Sequence, residues 1–465
     1  MRYLALACDY DGTLATGGQV PQDVVDSLKR LKASGRKLIM VTGREIPELL
    51  RVFPELELFD RIVAENGALL YHPATKRENP LVPRPPDEFV DLLKAREVGP
   101  ISVGRVIVAT WQPHETIVLQ TIRDLGLELQ VIFNKGAVMV LPSGVNKATG
   151  LRAALSELGL SAHNTVAVGD AENDHALCMS CEISAAVANA LPTLKETADI
   201  VLRNHHGAGV SELIDRMLDD DLASVECQLT RHNLLIGHDE AGETISLPPH
   251  CCNVLVSAEA PELVDWASYF INQLTEARYQ YCLIESGEVS WKLDRVPDVG
   301  SAESRPDFDS VIKLMEKPGQ NCVVHFQAIS PAERSSCLIE LLNRLQTLRQ
   351  QCGHPHWIIL NGVDQFLTEE DISQHHTEVE FERMLFLTKN TAELPESLRS
   401  SVDTVITIGQ TAKRLMEDFL PNVTTNLSAE REQQDTDAWF WKPNCRSEPI
   451  PVRLATADSE SCSVP

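Results

Sequence analysis

The stretch "LACDYDGTLA", residues 6–15, is an apolar run that stops on two aspartates around one tyrosine. Asp9 and Asp11 lie two positions apart, so on a strand both carboxylates project from the same face. Two anions forced together at the end of a buried strand repel each other, and folding alone has no use for that. A function has to account for them.

Similar strands recur outward from this one. "PQDVVDSLKRLKASG" reads as an amphipathic helix with Pro at its start and Gly at its end. "KLIMVTGR" predicts an apolar strand ending in a polar turn, and "RIVAENGALLYH" a strand, a turn and a strand. "GVNKATGLRAALSELGL" is a helix closed by Gly, and "NTVAVGDAENDHAL" is a strand running into an acidic loop and a helix; "ISAAVANA" and "ADIVLRN" complete the series. Strands alternating with helices imply a mostly parallel sheet covered on both faces, with ligands at the strands' carboxyl ends. Residues 84–140 interrupt the pattern. "PRPPDEF" makes a Pro-rich break, and "VGRVIVATW", "ETIVLQTIRDLGLELQVIF" and "GAVMVLP" predict a small α+β unit of strands and one helix, the size of a lid over an active site.

Global properties narrow the function classes. At 465 residues the chain is too long for one ordinary core. A hydrophobic content of 43% and a charged content of 23% describe a soluble globular protein. The net charge of -26 argues against nucleic acid or an anionic membrane as a main partner, because phosphate binding needs clustered cations. The opening "MRYLALACDYDG" meets charge too soon to read as a secretion signal, and no apolar run approaches the roughly 18 to 20 residues that span a bilayer. The twelve cysteines are scattered, which with the missing signal implies reduced thiols in a cytoplasmic protein. Cys178 and Cys181 form a CxxC within a helical stretch, but no second pair stands at zinc-finger distance, so they read as small buried residues.

Four polar sites fall at strand ends or helix starts: Asp9 with Asp11, Thr42 with Gly43, Lys147, and Asp170 with Asn173 and Asp174. A carboxylate at Asp9 can attack phosphorus to form an aspartyl-phosphate, dividing one hard displacement into two easier ones. Asp11 is placed to protonate the leaving alkoxide and then deprotonate water. Asp170 adds a third carboxylate, and a hard cation such as Mg²⁺ makes that much negative charge tolerable. The Thr42 hydroxyl and the Gly12 and Gly43 amides suit phosphoryl oxygens, and Lys147 suits charge on the transferring group. Arg44, Glu65 and Asn66 are candidates for substrate contact, although "ENGA" also reads as a hairpin turn with Asn-Gly supplying positive φ.

The arrangement resembles the haloacid dehalogenase superfamily of phosphatases, motif by motif: "DYDGT", the strand-final "VTGR", the lysine of "NKATGL", and "GDAEND". Order and spacing are similar to the Cof-like branch, which carries its cap between the second and third motifs; the short cap is closer to that of the archaeal-type phosphoglycolate phosphatases. The resemblance implies a Rossmann-like α/β core (1–83 and 141–217) with a small α+β cap (84–140). It implies a Mg²⁺-dependent phosphatase of a small phosphorylated metabolite, a sugar phosphate or phosphoglycolate-like compound. It makes Asp9 the nucleophile and Asp11 the acid/base. Mg²⁺ would be held by Asp9, Asp170 and the Asp11 backbone carbonyl, with Asp174 supporting and Asn173 positioning Lys147 or the phosphate. A phosphomutase, sharing the aspartyl-phosphate step, is an alternative.

Residues 226–424 read as a second α/β domain, opened by the hairpin "HNLLIGHDEAGETISLPPH". Strand candidates "CNVLVSA", "YQYCLIE", "NCVVHFQ", "HWIILNG", "RMLFLTK" and "VDTVITIG" follow. The outline resembles a P-loop NTPase of the HerA-like ATPase type, but residues 257–268, "SAEAPELVDWAS", have no glycine or lysine to cradle phosphate. Asn361 and Gly362 stand where a Mg-holding acid and its neighbour would be. The domain reads as degenerate, suited to docking a protein partner, self-association or control of the phosphatase; a regulatory or interaction protein is thus a second functional reading. The tail, 425–465, reads as partly disordered, with "DAWFWKPN" as a candidate edge strand.

Overall fold

The computed structural model describes residues 1–226, 228–250, 252–287, 291, 293–367, 381–419, 438–445 and 448–455. The chain forms two compact units, 1–228 and 229–465. Much of the stretch read as a disordered tail lies outside the described residues.

The first unit is built on the strand quoted above. β1 (Ala5–Asp9) is followed by α1 (Gln22–Ala33), β2 (Lys37–Val41), α2 (Ile46–Val52), β3 (Arg61–Ala64), β4 (Leu69–His72) and β5 (Arg77–Pro80). A cap of α3 (Asp87–Ala95), β6 (Ser102–Val103), β7 (Val108–Trp111), α4 (Glu115–Asp124), β8 (Leu129–Asn134) and β9 (Ala137–Pro142) intervenes. The core resumes with α5 (Lys147–Leu158), β10 (Thr165–Gly169), α6 (His175–Ser180), β11 (Ile183–Ala186), α7 (Pro192–Thr197), β12 (Ile200–Val201), α8 (His206–Asp219) and a short α9 (Ala223–Glu226). The core sheet runs β12-β11-β10-β1-β2-β3-β4-β5, parallel from β12 to β3 and antiparallel from β3 to β5.

β1 is central and all five of its residues are buried, as a strand covered on both faces requires. α1 packs with α8, and α5 with α6, to make the helix pairs that cover the sheet. Asp9 is in register with Val41, so Thr42 stands one residue beyond it on the neighbouring strand.

The cap departs from its sequence reading in one respect: it has two helices. The Pro-rich stretch read as a break ends at Pro86, which precedes α3. Asp87 and Glu88 occupy the first turn of that helix, and Phe89, Val90 and Leu93 are buried. The antiparallel cap sheet, β6-β7-β9-β8, uses strand alternation to serve two masters. Val138 and Val140 pack with Phe89, Val118 and Ile122 of the cap helices, whereas Met139 and Leu141 pack with Ala68, Val106 and Ile107.

Among the described residues the second unit has an eleven-stranded sheet. Its strands are β13 (Leu234–His238), β14 (Thr244–Leu247), β15 (Val254–Ser257), β16 (Tyr281–Glu285), β17 (Asp298–Val299), β18 (Cys322–His325), β19 (Trp357–Asn361), β20 (Met384–Thr388), β21 (Thr404–Ile408), β22 (Ala438–Trp441) and β23 (Ile450–Leu454). The order is β14-β13-β23-β22-β21-β15-β20-β19-β16-β18-β17, parallel from β21 to β17. Val254 and Val256 enter one apolar cluster and Leu255 the other, so β15 is covered on both faces. α10 (Ala260–Glu276) follows it directly.

"DAWFWKPN" is not an edge strand. β22 pairs antiparallel with β21 on one side and β23 on the other. Its Ala438 and Phe440 enter one core cluster and Trp439 the other, and an apolar strand of this kind is driven inside the sheet by burial. Among the described residues no helix is long and apolar enough to cross a membrane.

Candidate active site

The carboxyl ends of β1, β2 and β10 place the candidate residues around one point. Asp9 ends β1 and is 4% exposed. Lys147, the first residue of α5, is 1% exposed, and its Nζ donates to Asp9 Oδ1 at 2.6 Å and to Asp174 Oδ1 at 2.6 Å. The other oxygen of Asp174 accepts from the backbone amides of Asp170 (2.9 Å) and Ala171 (3.0 Å), which fixes the loop after β10. Lys147 is held in place by a capping box: Asn146 accepts from the Thr149 amide and Thr149 Oγ1 from the Asn146 amide.

This cluster carries more negative than positive charge, and its protonation follows from that. Burial, then the charge of Asp174, raises the Asp9 pKa to about 7, with Lys147 pulling the other way. Burial alone would lower the Lys147 pKa, but Asp174 and Asp9 reverse the direction and keep it an ammonium. Burial also raises the Asp170 pKa, against the effect of Lys135.

On the phosphate side the backbone turns sharply after Asp11. Gly12 has a φ of +91°, and a Cβ there would lie 2.3 Å from Asp170 Oδ2, so only glycine fits. The Gly12 amide is engaged by the Ala15 carbonyl at 3.1 Å, which removes it from the phosphoryl-binding role read for it. Thr42 is fully buried; its Oγ1 accepts from the Arg44 amide at 3.1 Å and still has a proton to donate. The Arg44 guanidinium binds Asp11 through two bonds, Nε to Oδ2 at 2.6 Å and a terminal nitrogen to Oδ1 at 2.7 Å. Gly43 lies under the cap, its position 3.6 Å from Met139 Sδ as a Cβ would measure it.

"ENGA" is both a turn and part of the site. Glu65, Asn66 and Gly67 all have positive φ, at 51°, 54° and 105°. Asn173 Nδ2 donates to Asn66 Oδ1 at 2.9 Å, so Asn173 reaches Asn66 rather than Lys147. Asn66 Nδ2 and Asn173 Oδ1 are buried without a partner. Glu65 does not face the reacting centre. Its carboxylate accepts from the amides of Arg105, Val106 and Ile107 at 2.8, 2.7 and 2.8 Å, clamping the β6–β7 turn of the cap to the core.

The sequence reading missed three other residues. Lys135, in the β8–β9 turn, donates to the Asp11 carbonyl (2.9 Å) and to Asp170 Oδ2 (2.8 Å). Asn189 Nδ2 and His206 Nδ1 each lie 2.7 Å from the Gly12 carbonyl and hold the catalytic turn from behind. A Lys-Gly pair between two alternating strands was the available signal for Lys135. Trp111 is exposed beside that turn, and His114 bonds the Gly99 carbonyl at 3.0 Å.

The donor set suits a divalent cation. Asp9, Asp170 and Asp174 each offer a carboxylate oxygen within 4.8 Å of the others, and hard oxygen donors are what Mg²⁺ takes. Asp174 already spends both oxygens on Lys147 and backbone amides, which leaves as cation donors Asp9, Asp170 and the Asp11 carbonyl, the last two now holding Lys135.

Comparison with known proteins matches the N-terminal half of the chain. The model of the haloacid dehalogenase-like hydrolase family matches residues 6–117 and 114–214. Phosphoglycolate phosphatase 2 of Saccharolobus solfataricus is 32% identical over 221 residues, covering 46% of this chain and 92% of that protein. The phosphoglycolate phosphatase of Metallosphaera sedula is 32% identical over 223 residues, covering 46% of this chain and 98% of its own. A haloacid dehalogenase-like hydrolase from Bacteroides thetaiotaomicron aligns in structure with a TM-score of 0.42 at 18% identity, over 46% of this chain and 99% of its own. Through its N-terminal half, the chain belongs to the haloacid dehalogenase-like hydrolases.

Proposed function

We propose that residues 1–228 are a phosphatase that hydrolyses a small phosphorylated metabolite, of the sugar phosphate or phosphoglycolate-like kind, through an aspartyl-phosphate. The observation that carries this reading is the placement of Asp9. A carboxylate nearly closed to solvent has one oxygen on a buried lysine, and a second carboxylate, Asp11, stands two residues away.

Lys147 binds Asp9 Oδ1, which leaves Oδ2 to attack phosphorus. The P–O ester bond breaks as Asp11 passes a proton to the leaving alkoxide. Asp11 then takes a proton from water, water oxygen attacks the aspartyl-phosphate, and phosphate leaves with Asp9 restored. Arg44 holds both oxygens of Asp11 as the carboxylate until substrate phosphoryl oxygens take the guanidinium, and Asp11, so freed, takes up from solvent the proton that it then passes to the leaving alkoxide. Thr42 and the Asn66–Asn173 pair offer hydrogen bonds to the transferring group. Asp9, the Asp11 carbonyl and Asp170 would hold Mg²⁺, with Asp174 behind them; the ion would screen the attacking carboxylate from the phosphate dianion.

Steady-state assays on a panel of phosphomonoesters test the proposal. Asp9→Asn should abolish turnover, and Asp11→Asn should cost on the order of 10²- to 10⁴-fold. Near-normal rates in Asp9→Asn would refute the covalent mechanism.

For residues 229–465 we infer a P-loop NTPase-like sheet that has lost its phosphate cradle. Only Ala258 and Glu259 connect β15 to α10, and Pro261 and Glu262 fill the first turn of that helix. Asn361, Asp364 and Thr388 line a small pocket at the sheet's carboxyl end beside this helix start, with Thr388 donating to Asp364 at 2.7 Å.

A further inference from the structure

β8 and β9 are joined by two residues, Lys135 and Gly136, with φ of 48° and 88°. A two-residue hairpin with both residues left-handed is a type I′ turn, whose first position is normally Asn, Asp or Gly. A lysine there works against the backbone's steric preference, and such an outlier points to a use for the side chain. The side chain is long enough to reach the core. Its Nζ lies 2.9 Å from the Asp11 carbonyl and 2.8 Å from Asp170 Oδ2, two of the oxygens that would hold a cation. A Cβ on Gly12 would lie 2.5 Å from the same Nζ, so the bare glycine is what admits the ammonium.

The other cations of the site are committed elsewhere. Lys147 bridges Asp9 and Asp174, and Arg44 is shared between Asp11 and Glu48. The Lys135 side chain is 49% exposed, at the edge of the site. The Glu65 clamp on the β6–β7 turn ties the cap to the core, so the ammonium stays near the reacting centre when its two oxygens are taken.

We propose that Lys135 is a specificity-determining residue that exchanges partners. It competes with the divalent cation for the Asp11 carbonyl and Asp170, and once displaced it pairs with a second anionic group on the substrate. Two positive charges cannot share one pair of oxygens at contact distance, so cation binding and the Lys135 contact exclude each other. The displaced ammonium favours a short phosphomonoester that carries a carboxylate over an uncharged ester of the same size. The second half of this proposal rests on the phosphatase reading; the first does not.

The test uses the full-length chain and two variants. Lys135→Asn removes the ammonium and installs the residue that the turn prefers, which protects folding; Lys135→Arg retains the charge. Calorimetric titration of chelator-stripped protein with MgCl₂ should give about tenfold or tighter binding for Lys135→Asn, the scale of losing a charged hydrogen bond, while Lys135→Arg stays near the parent. Equal Mg²⁺ affinity in Lys135→Asn and the parent overturns the proposal. The ratio of kcat/KM for 2-phosphoglycolate to that for ethyl phosphate should fall by about tenfold or more in Lys135→Asn, mostly through KM, and recover in Lys135→Arg. An unchanged ratio overturns the recognition role. If the parent hydrolyses neither ester nor any other phosphomonoester of the panel, the phosphatase reading fails, and the Mg²⁺ titration still decides whether Lys135 guards the cation's oxygens.

Discussion

Lys147 Nζ lies 2.6 Å from Asp9 Oδ1, and both side chains are nearly closed to solvent. A buried pair of this kind adds little net stability, but removing one partner leaves the other charge stranded. Lys147→Met should destabilise the N-terminal unit by about 3–5 kcal/mol and abolish turnover. Urea unfolding alongside activity assays checks both; a variant of unchanged stability would mean that the pair is not buried in solution.

The protonation of Asp9 gives a pH-dependent prediction. Its pKa is raised from 3.8 to about 7 by burial and the charge of Asp174, so between those values the folded state holds a proton that the unfolded chain has lost. Stability from this group is therefore present below the unfolded value and falls as pH rises through the window. Asp9→Asn, a neutral isostere, removes that slope. In excess chelator, the stability advantage of Asp9→Asn over the parent should grow from acidic pH up to neutrality and then level off. Denaturation midpoints across that range measure it, and a difference that does not vary with pH would contradict the assignment.

The Glu65 clamp predicts a local effect. Glu65→Ala leaves the amides of Arg105, Val106 and Ile107 without their acceptor, at a cost of about 1–3 kcal/mol for each that stays buried. Hydrogen exchange at these three amides should accelerate, while exchange in β1 and β10 changes little. Unaltered protection at 105–107 would show that the clamp does not hold the cap.

For the second unit the expected result is an absence of nucleotide binding. Glu259 and Glu262 at the start of α10 oppose a triphosphate, and the two-residue connection from β15 supplies no glycine amides. Calorimetric titration of the full-length chain with Mg-ATP should show no micromolar binding; a micromolar site lost on substitution in this unit would overturn the degenerate reading.

What the sequence disclosed was what lies close in the chain. β1, β2 and β10 could be read because each is an apolar run ending in polar residues, and parallel-sheet geometry gathers such ends together. Asp9, Thr42 and Asp170 were legible for that reason, and Lys147 because it opens a helix that closes on Gly159. The roles of Glu65 and Lys135 were not, because each acts across the core–cap boundary on partners 35 or more residues away. Asn173 was expected, from the resemblance, to position Lys147 or the phosphate; its side chain donates to Asn66, a partner set by where the β3–β4 turn falls. β22 was misjudged as an edge because its neighbour β23 follows a gap in apolar pattern, and pairing order is not a local property.

Four residues, 143–146, separate the last cap strand from Lys147. Any hinge movement of the cap would pull on the chain just upstream of Lys147, whose Nζ binds Asp9. The Asn146 carbonyl is wedged against Gly67, where a Cβ would come within 1.9 Å of it, and the Asn146 side chain is tied to Thr149. This junction works as a mechanical ground: with its carbonyl against Gly67 and its side chain on Thr149, Asn146 is fixed on two sides, and the Lys147 ammonium that follows inherits a fixed aim.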